Sequence, residues 1–109
     1  MRILPLCLAL ALAACGAAAI HAGRDFDVPA VAARLHRGST TQDEVRAWLG
    51  APNSTGVSVE TSGETLTQWT YFFAEGDLSG LSDTRIKMLQ VKFDQKGVAQ
   101  AFNWSNSAR

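Results

Sequence analysis

The sequence predicts an α+β fold, with two short N-terminal helices packed on one face of a three- to four-stranded antiparallel meander in the order ααβββ. Three observations carry this. Residues 38–52 hold a short helix with its start and stop signals written in, and residues 26–38 hold a second apolar pattern of helical period. From residue 54 onward the pattern changes to period two, with turn residues between the runs.

In the second helix, Thr41 and Glu44 form a capping-box pair, in which the hydroxyl accepts the N3 amide and the carboxylate reaches back to the cap amide. Asp43 and Glu44 place negative charge in the first turn, where the helix dipole favours it. Val45, Trp48 and Leu49 make one apolar stripe, Gly50 suits the left-handed C-terminal position, and Pro52 blocks continuation. A helix this short is marginal alone and needs a surface to dock on. In the first helix, Asp27 caps, Pro29 sits in the first turn, and Val28, Val31, Ala32 and Leu35 repeat at helical spacing up to Gly38. His36 and Arg37 are placed in its last turn, where cations suit the dipole.

Residues 54–60 read as a short edge strand and residues 61–64 as a turn. Residues 65–73 are the strongest strand, with Trp69, Tyr71 and Phe73 on one face and Leu66, Gln68, Thr70 and Phe72 on the other. The Gly, Ser and Asp content of residues 74–84 predicts a long loop. Residues 85–94 and 98–105 form the last hairpin around an Asp94–Gly97 turn. With Phe93 facing Val98, Leu89 lies opposite Phe102 and Lys87 opposite Trp104. Ala99 and Ala101 then fall on the face left to water.

The N-terminus bears on the compartment. Met1-Arg2 supplies a positive end, and Ile3 to Ala14 is an apolar run too short to span a bilayer. Leu12-Ala13-Ala14-Cys15 matches the bacterial lipobox, so residues 1–14 read as a lipoprotein signal peptide and Cys15 as the lipidated residue. Gly16 after it fits sorting to the outer membrane. The Ala/Gly-rich residues 15–25 read as lipidated cysteine and flexible tether, with His21 solvated, and residues 26–106 as the folded domain. Of the two cysteines, Cys7 lies in the leader and Cys15 is blocked by lipid, which leaves no thiol for a disulfide or a metal. Several acyl chains, palmitate among them, would anchor firmly.

The Gly38-Ser39-Thr40 to Val45 stretch with Leu49-Gly50-Ala51-Pro52, then Trp69-x-Tyr71, then Leu89-x-Val91-x-Phe93-Asp94-x-x-Gly97-Val98, resembles the SmpA/OmlA (BamE-like) family of small outer-membrane lipoproteins over about residues 26 to 104. The resemblance implies the same order of elements and an accessory role in assembling outer-membrane β-barrel proteins or in envelope integrity. The chain departs from the family's pattern with Arg24-Asp25-Phe26-Asp27 in place of a Gln-Gly-Asn stretch, and with Ser39 where those members carry Met.

Ten basic and ten acidic residues, with no Lys/Arg cluster, predict no attraction to nucleic acid. No nucleophile is paired with a base, Asp25/Asp27 and Asp43/Glu44 suit helix caps, and no phosphate loop or metal spacing occurs. The sequence therefore predicts no enzyme, no cofactor beyond covalent lipid on Cys15, and no small-molecule substrate. Leu66, Phe72, Ile86 and Met88 fall on the face expected to be wet and are the candidate partner-binding patch, unless a loop or bulge covers them. The reading is a lipid-anchored, periplasmic protein-binding module at the outer membrane, whose partner is another envelope protein. The alternative is an inhibitor-like module that presents residues 77–83 to a periplasmic or secreted hydrolase.

Overall fold

The computed structural model describes residues 19–77 and 80–107. Residues 1–14 and Cys15, the expected leader and lipidation site, lie outside them. The order of elements is β1 (Ala19–Gly23), α1 (Val28–Arg34), α2 (Gln42–Leu49), β2 (Ser54–Val59), β3 (Thr65–Asp77), β4 (Gly80–Phe93) and β5 (Ala99–Ser107). This corrects the expected ααβββ architecture. The described residues are mostly a five-stranded antiparallel sheet that begins with β1, and the two helices among them are only seven and eight residues long.

The sheet runs β1-β3-β4-β5, with β2 also paired to β3. Since β4 occupies one edge of β3, the other edge takes two partners end to end. β2 pairs from Thr65 to Thr70, and β1 from Phe73 to Asp77. Residues 19–23 are thus a strand where composition suggested tether. The free upper edge of β3 offers backbone partners that outweigh a weak local preference.

The expected loop at 74–84 is also absent, because β3 and β4 stay paired to an Asp77–Gly80 tip with an irregularity between Glu75 and Asp77. An Arg85–Glu75 ion pair of 2.7 Å bridges the two strands. Gly76 serves the strand and not a loop: a Cβ there would sit 2.8 Å from Thr84 Oγ1.

Both helices start as their caps require. Asp27 accepts from the Ala30 amide at 3.1 Å, and Thr41 and Glu44 exchange the two bonds of a capping box. Helix α1 stops at Arg34, so His36 and Arg37 lie beyond it. There the His36 amide donates to Thr40 Oγ1 at 2.8 Å. The α1–α2 connection is tied to the start of β5. Gly38 N–H donates to the Ala99 carbonyl, Ala99 N–H to the Thr40 carbonyl, and Gln42 N–H to the Gly97 carbonyl, all within 2.9 Å.

The core gathers Val31 from α1, Leu35 at its C-terminal cap and Val45 from α2 with Trp69, Tyr71, Leu89, Val91, Phe93 and Ala99 from the sheet. Trp69 and Phe93 meet edge to face with centroids 4.9 Å apart. The β4–β5 register differs from expectation: Leu89 pairs with Trp104 and Val91 with Phe102, with a bulge between Lys92 and Phe93. The turn is one residue wider than expected, so Ala99 and not Val98 lies opposite Phe93 and is fully buried, and the bulge shifts the rest of the register by one more residue. Val98 instead bridges to Thr41. Trp104, opposite Leu89 and not the expected Lys87, lies toward the open end of β5 and is 49% exposed, stacked on Phe102.

Candidate functional site

The expected partner patch does not hold together as four exposed residues. Leu66 is 3% exposed: it pairs with Ser58 on the face where Lys92 meets Glu60 at 3.3 Å. Phe72 and Met88 are direct cross-strand partners and both are half-buried. Ile86, opposite Ala74, is the one member classed as exposed, at 39%.

More apolar surface lies where sequence reasoning did not place it. Val57 and Val59 on β2 are 72% and 70% exposed, and they share the face of Thr67 and Thr65. β2 pairs only with β3, so its outer edge is unpaired among the described residues. It carries no Pro, charged residue or bulge within Ser54–Val59, the devices that usually blunt such an edge. The signal was the Val57/Val59 alternation. Its exposure was hidden because a period-two pattern does not say whether anything covers the apolar side.

A groove of about 490 Å³ opens where the two partners on the β3 edge leave a gap. Along β3, pairing with β1 ends at Phe73 and pairing with β2 begins at Thr70, and the edge between them is closed by Asn53. Its amide donates to the Thr70 carbonyl at 2.9 Å, and its side-chain oxygen accepts from the Phe72 amide at 2.8 Å. Val31, Trp48, Leu49 and Tyr71 contribute apolar lining, and Arg24 and Arg34 line the same space.

The acids of the groove are already engaged. Asp25 bonds Lys87 at 2.8 Å, which holds its carboxyl below the ordinary range, and Asp27 caps α1. Arg24 and Arg34 make no ion pair among the described residues. The Arg34 guanidinium sits 5.6 Å from the centre of the Trp48 ring. Arg24 lies over Gly50 at the end of α2, a position that suits a cation beside helix carbonyls. The groove can hold an apolar group flanked by positive charge.

Tyr71 forms part of its wall and donates its hydroxyl to the Gly50 carbonyl at 2.7 Å. Burial pushes its phenol up to about 12, against a smaller opposing pull from Arg46. The unfolded phenol ionises near 10, so between these values the native state keeps a proton that the unfolded state releases. Stability from this group is therefore complete below pH 10 and is lost as pH rises through 12. Tyr71 is the single tyrosine, so a phenolate absorbance titration reports it alone. The expected midpoint lies well above that of free tyrosine, and an ordinary midpoint would contradict the buried hydroxyl.

His21, exposed on β1, lies edge-on to Phe73 at 5.7 Å, and His36 is exposed. Among the described residues no group of three His, Cys, Asp or Glu side chains is placed to hold a metal. Nor is any helix there long and apolar enough to cross a membrane. No family model, no curated protein and no solved structure matches the chain.

Proposed function

We propose that the protein is a lipid-anchored, non-enzymatic binding module on the periplasmic face of the outer membrane, whose partner is another envelope protein. The observation that carries the binding half is the β2 edge: six residues of unblunted strand with Val57 and Val59 turned to solvent. An exposed strand edge with alternating apolar side chains is a surface on which an extended partner segment adds backbone hydrogen bonds and fills side-chain positions. The anchoring half is supported by Arg2, the apolar Ile3–Ala14 run and Leu12-Ala13-Ala14-Cys15. An accessory role in β-barrel assembly rests on the SmpA/OmlA-like residues named above.

Two variants separate the halves. Cys15→Ser is expected to release the protein from the outer-membrane fraction and to abolish incorporation of labelled palmitate. Retention in that fraction would sink the anchor. Val57→Lys combined with Val59→Lys is expected to leave fractionation unchanged and to remove co-purifying envelope proteins from detergent extracts. Recovery of barrel-assembly subunits with the unaltered chain supports the accessory role, and recovery of one soluble hydrolase supports an inhibitor instead. The inhibitor reading loses its expected long loop, because β3 and β4 remain paired out to Asp77 and Gly80.

A further inference from the structure

We propose that the protein stands with the β3–β4 hairpin tip toward the bilayer, and with the β2–β3 and β4–β5 turns farthest from it. The inference rests on the lipid anchor at Cys15 and adds a direction to it. β1 is antiparallel to β3. Its first residue, Ala19, pairs with Asp77 at the hairpin tip, and its last, Gly23, pairs with Phe73 further down the strand. The chain therefore joins the sheet at the tip.

Cys15 lies four residues before Ala19, and four residues reach at most about 14 Å when fully extended. Acyl chains on Cys15 hold the tip within that distance of the headgroups. β3 continues for 13 residues back to Thr65, roughly 40 Å at the usual strand rise. What would lay such a sheet flat is a basic face drawn to anionic lipid. Without Arg2, which leaves with residues 1–14, the lipidated chain carries nine basic against ten acidic residues and no Lys/Arg run, so no net positive charge draws it flat. The consequence is directional: the β2 edge, with Val57 and Val59, is presented away from the membrane, and the tip is shielded by it.

The two native cysteines are Cys7 in the leader and the acylated Cys15, so one further cysteine can be labelled selectively in the mature lipidated protein. Ser107 is exposed and pairs with Ile86 on the tip side, and Ser62 is exposed in the β2–β3 turn. Ser107→Cys and Ser62→Cys, each carrying the same fluorophore, are reconstituted in phosphatidylcholine vesicles that contain a headgroup-quencher lipid. The label at position 107 is expected to lose most of its emission and the label at position 62 to keep most of it. Equal quenching, or the reverse order, with labelled palmitate still incorporated at Cys15, overturns the orientation alone. Loss of palmitate incorporation overturns the anchor and the orientation with it.

Discussion

Phe93→Ala is expected to lower the unfolding free energy by about 3–5 kcal/mol, the usual cost of truncating a buried phenylalanine. Phe93 is fully buried, meets the Trp69 ring edge to face, and lies opposite Ala99 next to the β4–β5 bulge. Its removal leaves a cavity that a twisted sheet cannot close, because Thr67 and Ala99 are held in register on either side. At about 4 °C per kcal/mol for a domain of this size, the melting temperature should fall by at least about 12 °C. Val57→Ala is the matched control. At 72% exposure it should change stability by no more than about 0.5 kcal/mol. A small loss at Phe93 with a large one at Val57 would show that the apolar surface is arranged the other way round.

Gly23→Ala should detach β1. Gly23 has φ 78, and a Cβ built there would lie 2.0 Å from the Phe72 carbonyl oxygen, which is backbone and cannot swing aside. The left-handed conformation alone costs an alanine about 1–2 kcal/mol. The overlap adds more than the strand can absorb while paired, so the expected result is loss of hydrogen-exchange protection along residues 19–23 and the facing residues 73–77 of β3. The Trp69–Phe93 core, paired through β2 and β4, should keep its protection. Gly38→Ala isolates the conformational part. Its φ is 83, but nothing lies within 4 Å of the added carbon, so it should cost only about 1–2 kcal/mol and leave β1 in place. Full protection of β1 in Gly23→Ala would refute the close approach. The same variant bears on the orientation proposal, because a detached β1 lengthens the tether and should narrow the quenching contrast between positions 107 and 62.

Edge strands are where this chain differs most from its local signals. β3 carries two unrelated strands on one edge, and the join between them creates the groove beside Tyr71 and the Asn53 bridge. The groove exists because neither β1 nor β2 is long enough to run the full length of β3. Its residues come from four separate segments, around positions 24, 34, 48 and 71, none of which is unusual alone. No spacing rule joins Arg24 to Tyr71. The expected patch failed for a related reason. Leu66, Phe72, Ile86 and Met88 do fall on one face by period-two counting, but counting cannot see that Leu66 is covered while Ile86 stays open.

The features determined by the sequence itself are those set by neighbours a few residues apart. Asp27 and the Thr41–Glu44 pair mark helix starts through bonds spanning three residues. The Trp69-Tyr71-Phe73 alternation assigns a core face, and Asp94 to Gly97 turns the last hairpin through the Gly97 amide and the Asp94 carbonyl. Tertiary structure decided what depends on distant partners. It turned the alanine-rich 19–23 segment into a strand, extended β3 and β4 through a stretch rich in Gly and Ser, and moved Ala99 into the core by widening the last turn by one residue. In the first two cases backbone groups on an unfilled strand edge outweighed a weak local preference, and such an edge exists only once the sheet has formed.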